Sequence, residues 1–403
     1  MKVGDCSLTV DGEGDVTVSD TDDDVTALSR GGFFHIEERG GDAERRVEIE
    51  PGPGGLERRW LVDGKVRAYD DEARAWLART LLVVFRRTGF DADRRAERIL
   101  RKGGVDAVLQ EVAQIPSDYA ARRYYQVLLV RPNLDQATLL RVVRQAGQEI
   151  GSDFELAELL IAVAKYQPLE ESVRLAYVEI GSDFELAGLL IEITQAHAID
   201  ATLAPAFFDA LAFVSSDFER HRVLTAVARQ AKGDQAVLDR ALEAAAGIRS
   251  DFELASFLSE ISASYPVDRP LPPSFIKATA GISSGFELRR ALSGLVTRGG
   301  ATSAQLASVL EAAAGITSDF ELAELLVTLA RRYPLDDVLR PAYFAAAGRV
   351  GGDFEPGRAL KAVIARKPLS EATVLALLES SVGLQSDFEL AEVLIAVAKA
   401  YPV

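Results

Sequence analysis

The tetrad Ser-Asp-Phe-Glu recurs along this chain with its Asp at positions 153, 183, 217, 251, 319 and 387, and nothing else in the sequence limits the fold as tightly. Degenerate copies put Gly285 and Asp353 in the same series, and an earlier Ser-Asp-Tyr adds Asp118. From Asp183 onward every interval is 34 residues; the first two are 35 and 30. A fixed period of this length marks an array whose units bury their apolar faces against their neighbours.

The tetrad reads as a helix start. Ser is a good N-cap, and Glu three residues later completes a capping box. Ser152 with Glu155, Ser182 with Glu185, Ser216 with Glu219, Ser250 with Glu253, Ser318 with Glu321 and Ser386 with Glu389 all fit. Asp at the first helical position suits the positive end of the helix dipole, and the following Phe is expected to enter the core. Rows of paired acids also suggest acid/base or metal chemistry, but capping accounts for all four residue types.

Each tetrad opens an apolar helix of about four turns. In the unit beginning at Ser318, only Glu321, Glu324, Thr328 and Arg331 interrupt the apolar positions, three or four residues apart. So narrow a polar stripe requires cover over most of the circumference, which makes this the inner helix. Pro168, Pro266, Pro334 and Pro368 follow fifteen residues after the Asp position and close it. A second helix follows, as over 170–180 or 301–314. It stops at Gly181, Gly247, Gly281 or Gly315, where a left-handed C′ residue is expected. The predicted fold is mainly α, a right-handed α-solenoid of about eight 34-residue helix pairs over 117–403.

Residues 1–70 predict a small antiparallel β module, with short strands over 6–10, 15–19, 33–38, 45–50, 56–62 and 65–69. Asp63-Gly64 is a two-residue hairpin turn that sets Val62 against Lys65, Leu61 against Val66 and Trp60 against Arg67, the last in cation–π reach. The Asp20–Asp24 run has Val25 and Gly31 where a calcium loop needs Gly and Glu, so it reads as a solvated loop. Residues 71–116 form a helical adaptor that caps the first repeat. Its basic cluster of Arg86, Arg87, Arg94, Arg95, Arg98, Arg101 and Lys102 reads as a solvated face paired with the acidic β module.

The chain has 61 Asp and Glu against 45 Lys and Arg, a net charge of −16, which weighs against nucleic acid as a partner. One Cys and three His supply neither a disulfide framework nor a metal cage, and no cofactor is expected. No phosphate loop, nucleophile elbow or dinucleotide fingerprint is present, so no enzyme is expected. His35, His197 and His221 read as core or surface residues. No apolar run reaches the roughly 20 residues of a membrane span. The expected location is cytoplasmic if the chain is complete, and extracytoplasmic if it is the mature part of a membrane-anchored sensor.

The tetrads, together with residues 31–113, resemble bacterial regions built of Ser-Asp-Phe/Tyr-Glu helical repeats. Some of these are soluble C-terminal parts of sensors similar to membrane peptidases of the BlaR/MecR type. The resemblance covers residues 117–403 through the tetrads and implies a ligand- or partner-sensing region. It transfers no catalytic residue, because the His-Glu-x-x-His helix of such peptidases is absent here. Tetratricopeptide and HEAT repeats are similar in architecture only.

Two surfaces are candidates for binding. The fifth position after each Asp varies in charge through Glu158, Arg222, Arg290, Glu324, Arg358 and Glu392, as a surface matched to a protein partner would. Residues 387–399 repeat 153–165 with Val393 in place of Leu159, and no second helix follows them. Leu390, Val393, Leu394 and Val397 are therefore expected to support a homo-oligomer through the last repeat.

Overall fold

The computed structural model describes residues 1–3, 6–41, 43–131, 134–166, 179–231, 234–265 and 272–401. They fall into two compact units, Met1–Ile180 and Gly181–Val403. Pro168, Pro266 and nearly all of the helix expected over 170–180 lie outside the described residues.

The first unit opens with eight strands: β1 (Lys2–Val3), β2 (Cys6–Glu13), β3 (Val16–Val18), β4 (Val25–Leu28), β5 (Phe33–Arg39), β6 (Arg45–Gly52), β7 (Gly55–Val62) and β8 (Lys65–Arg67). Six form an antiparallel sheet in the order β1-β2-β5-β6-β7-β8, and β3 pairs with β4 as a separate hairpin. The Asp63-Gly64 turn sets the anticipated register, Trp60 opposite Arg67 and Val62 opposite Lys65. Trp60 is buried, and its ring packs on Trp76 with centroids 5.0 Å apart rather than beneath Arg67.

Alternation along the strands gives the sheet one apolar face: Leu8, Phe34, Ile36, Val47, Ile49 and Trp60. That face is closed by helix α1 (Asp71–Thr88) through Ala73, Trp76, Leu77, Leu81, Val84 and Phe85. Sheet and α1 thus share one core, which is why no compact boundary falls near residue 70. Helices α2 (Ala92–Val112), α3 (Asp118–Leu129), α4 (Gln136–Glu149) and α5 (Asp153–Tyr166) follow, with α3 packed against α1, α2, α4 and α5.

The acidic run is a solvated loop only in part: Asp20, Thr21 and Asp23 are exposed, but Asp22 is not. Asp22 accepts from Arg95 Nε at 2.9 Å and from Arg98 Nη2 at 2.7 Å, and both guanidiniums are buried. Arg95 also donates to Glu111 at 2.7 Å and to the Tyr124 hydroxyl at 2.9 Å. Two members of the basic cluster are therefore interior, because their acids are brought in with them.

In the second unit the repeat is regular. Inner helices run over Asp183–Ala196, Asp217–Ala231, Asp251–Ser264, Gly285–Arg298, Asp319–Arg332, Phe354–Ile364 and Asp387–Ala400. Second helices run over Ala204–Leu211, Gln235–Ala244, Pro273–Thr279, Ser303–Ala312, Leu339–Ala347 and Glu371–Ser381. Each inner helix packs on the next inner helix, and from Gln235–Ala244 onward each second helix packs on the next second helix.

The glycines that end the second helices are not left-handed. Gly247 and Gly315 close short 3₁₀ turns, and the left-handed glycines lie elsewhere. Room is what they provide: a Cβ at Gly315 would stand 2.9 Å from Leu288 of the inner helix, and one at Gly281 would stand 3.0 Å from Leu254.

Candidate protein-interaction surface

The N-cap serines behave as capping predicts. The Oγ of Ser152, Ser182, Ser216, Ser250, Ser318 and Ser386 accepts from the backbone N–H of Glu155, Glu185, Glu219, Glu253, Glu321 and Glu389 at 3.3–3.4 Å. Of the two acids in the tetrad, the Asp reaches forward to the next repeat. Asp183 accepts from the amides of Ser215 and Ser216 at 2.9 and 2.8 Å and from the Ser215 hydroxyl at 2.6 Å. Asp217 takes the amides of Arg249 and Ser250, and Asp251 takes those of Ser283 and Ser284. Asp319 bonds the amide of Gly351, and Asp353 that of Gln385.

In Asp183, Asp217 and Asp251 this carboxylate takes up the N-cap amide that a Glu side chain closes in a full capping box. Burial pushes the pKa of Asp183 and Asp251 up, but the hydroxyl and the two amides facing each outweigh it. Both carboxyls are held below their ordinary value.

The C-terminal ends of the inner helices are served from the other direction. The Gln230 amide donates to the carbonyls of Thr194 and His197. Arg298 donates to Ser262 at 2.8 Å and also to Tyr265, Arg332 to Thr297 at 2.7 Å, and Arg366 to Arg331 at 3.0 Å. Carbonyls left over at a helix end are thereby satisfied by the following repeat.

The tetrad Phe does not enter the core. Phe184, Phe218, Phe252, Phe286, Phe320, Phe354 and Phe388 are 51–70% exposed. In the first unit Phe154 is 53% exposed, and Tyr119 at the matching position 42%. The cause is helical phase. Phe154 lies four residues before Glu158 and so shares the polar face, whereas Leu156, Leu159, Leu160 and Val163 point to the core.

Beside this row stands the variable stripe. Arg222 lies over the rings of Phe184 and Phe218 at 5.7 and 6.0 Å, Arg290 over Phe252 at 4.7 Å, and Arg358 over Phe320 at 5.8 Å. Each also pairs with a glutamate one turn back on its own helix at 2.6 Å: Arg222 with Glu219, Arg290 with Glu287, Arg358 with Glu355. Arg290 further reaches Ser256 Oγ, and Arg358 reaches Glu324. Of the six residues expected to meet a partner, the structure thus joins Arg358 with Glu324 and ties Arg222 and Arg290 to their own array. Glu158 and Glu392 are exposed.

A second period emerges here. Repeats opening at 217, 285 and 353 carry His221-Arg222, Arg289-Arg290 and Gly357-Arg358, while those at 183, 251 and 319 carry Ala187-Gly188, Ala255-Ser256 and Ala323-Glu324. The basic repeats bond in both directions. His221 meets Glu253 at 2.7 Å and Arg289 meets Glu321 ahead, while Arg290 and Arg358 bond behind. The array is built of pairs, with a true period of 68 residues, and that alternation was present in the sequence.

The quartet expected for self-association splits. Val393 is fully buried and Val397 nearly so, Leu390 is half-buried, and Leu394 is 40% exposed. Val393 and Val397 occupy the face turned to the preceding inner helix, so they cannot form a contact surface. The open face of Asp387–Ala400 instead carries Ala391, Leu394, Ile395 and Ala398.

Among the described residues no group of three His, Cys, Asp or Glu side chains could hold a metal ion, and no helix is long and apolar enough to cross a membrane. No protein-family model matches the chain, and neither the curated proteins nor the solved structures contain a match to it.

Proposed function

We propose that this chain is a non-enzymatic protein-interaction scaffold or sensor region that binds through its helical-repeat surface, and that its helix pairs wind into a right-handed α-solenoid, TPR-like and HEAT-like in architecture only. One observation carries the reading: an exposed aromatic ring, Tyr119 in the first repeat and Phe in the others described, stands at the same position of the inner helices, with a guanidinium over Phe184, Phe218, Phe252, Phe286 and Phe320. Aromatic and Arg side chains dominate the energetic centres of protein interfaces, and rings left more than half exposed in repeat after repeat place such side chains on the surface. The sensor half of the reading rests on the likeness of the tetrads to repeat regions accompanying BlaR/MecR-type peptidases.

The test is Phe218→Ala, Phe286→Ala and Phe354→Ala in one chain, compared with the unaltered protein by cross-linking and affinity capture. Specific partners should be lost while thermal stability is kept. An unchanged set of partners would sink the reading. Arginine reversals are poorer probes, since each also breaks an internal ion pair.

A second reading, self-assembly through the last repeat, is favoured by the exposure of Leu394 and Ile395. Leu394→Glu with Ala398→Glu should lower the light-scattering mass at high protein concentration. A mass that is monomeric before substitution refutes it.

A further inference from the structure

We propose that two copies of this chain close on each other through the last helix pair, their helices Asp387–Ala400 lying antiparallel about a two-fold axis that passes near Ile395. The proposal rests on the second reading of the function, self-assembly, and adds its symmetry, its closure and the charges that orient it.

Elsewhere in the second unit this face is covered by another inner helix. Leu394 stands seven residues after the tetrad Asp, where the earlier repeats of that unit also have Leu: Leu190, Leu224, Leu258, Leu292, Leu326 and Leu360. Those leucines are fully buried or nearly so, because each inner helix is followed by another packed on it. Leu394 is left open, and so is Ile395, whose counterparts Thr225 and Val327 are buried. The second helix shows the same change: Leu378 is exposed, whereas Leu310, two repeats earlier, is buried. Among the described residues, the exposed leucines and the exposed isoleucine all lie in this one pair. An inner helix of the same kind is therefore what this face is shaped to receive.

A second copy has one such face to offer. The first inner helix, α3, is already packed against α1 and α2, which blocks a head-to-tail joint. The open face therefore meets its own counterpart, so the contact is isologous and closes at two chains.

Charge sets the direction. Glu392 and Lys399 are both exposed and lie seven residues, about two helical turns, apart, along the edge of the face beside Ile395. Neither has a partner among the described residues. Glu324, which holds the same place as Glu392 two repeats earlier, is bonded across its joint to Arg358. In a parallel pair Glu392 would meet Glu392 of the copy, and Lys399 would meet Lys399. Turned antiparallel about a point between them, Glu392 meets Lys399 of the copy, and the symmetry makes that pair twice. The same centre sets Ala391 near Ala398 of the copy and Leu394 near Ile395. Asp387 lies beyond the end of this contact and stays in solvent.

The test follows the 403-residue chain by sedimentation equilibrium, beside Glu392→Lys, Lys399→Glu and the chain carrying both. The mass should rise with concentration and level off at twice that of one chain. Each single change sets like charges together at two symmetric places and should weaken the dimer at least about fivefold. The double exchange should bring it back to within about threefold of the unaltered chain. Circular dichroism of all four proteins should agree, because both residues are exposed.

A mass that climbs beyond two chains, single changes without effect, or a double exchange that does not restore the dimer would each overturn the proposal and leave self-assembly through the last repeat standing. A monomer at every concentration would overturn both.

Discussion

Arg290 lies over the ring of Phe252 with 4.7 Å between its guanidinium carbon and the ring centroid, and its Nη2 donates to the Phe252 carbonyl at 2.8 Å. One side chain thus fixes both the aromatic face and the backbone of the preceding repeat. Removing it as Arg290→Ala should cost about 1 kcal/mol by urea unfolding, as for a partly exposed, multiply bonded cation. Phe286→Ala, one position class away and 51% exposed, should stay within about 0.5 kcal/mol. Equal effects from the two would show that the rings carry stability instead of presenting surface.

Gly285 occupies the position at which Asp183, Asp217 and Asp251 accept amides from the next repeat, so Thr317 and Ser318 lack that carboxylate. A Cβ there meets only ordinary contacts, at 3.5 Å from Ile316 and 3.6 Å from Ser318. Gly285→Asp should therefore raise stability by about 1–2 kcal/mol, from helix propensity, the dipole and the new bonds together. Calorimetry showing no rise in Tm would refute this account of the tetrad Asp.

The same bonds set a pH dependence. Because the folded pKa of Asp183 and Asp251 lies below the usual value of about 3.9, their contribution is complete above that value and is lost as pH falls through the lower folded one. The double variant Asp183→Asn, Asp251→Asn should be less stable than the parent at pH 6 and approach it between about pH 4 and 2. Parallel pH curves for the two proteins would exclude these groups as the source.

Arg298 does at its helix end what Gln230 does two repeats earlier, but with a charge. Burial pulls its pKa down, and its Nε and Nη2 have no hydrogen-bond partner. Arg298→Gln should keep the carbonyl bonds and match or exceed the parent stability, whereas Arg298→Ala should lose about 1–2 kcal/mol. Faster hydrogen exchange near Tyr265 in the Ala variant alone is the expected companion result.

Period, capping serines, inner helices, strands and the Asp63-Gly64 turn could be read from the chain because each depends on local chemistry or on spacing along one helix. The destinations of the acids could not, since Asp183 and Asp22 find partners in other elements that pattern alone does not place. Exposure of the Phe row is legible in the sequence: counting four residues from Phe154 to Glu158 puts both on one face. The split within the last helix does not follow from such a count, because Leu390, Val393, Leu394 and Val397 match Leu156, Leu159, Leu160 and Val163, which are all buried; it depends on which sides of the helix other elements cover. The pairing of repeats is visible as the alternation of Ala187 and His221, but the 34-residue tetrad is the stronger signal and masks it.

Where the tetrad Asp is present, as at 183, 217 and 251, it binds main-chain amides of the next repeat, and Gln230, Arg298, Arg332 and Arg366 bind main-chain carbonyls of the preceding one. Every sequence offers those groups, so a duplicated segment meets its new neighbour without any matching substitution. The variable position adds a rule of parity: Arg222, Arg290 and Arg358 each have a residue without positive charge, Gly188, Ser256 or Glu324, at the same position of the repeat behind. The array can therefore lengthen or shorten freely by even numbers, and an odd step leaves a cation facing a cation across the seam.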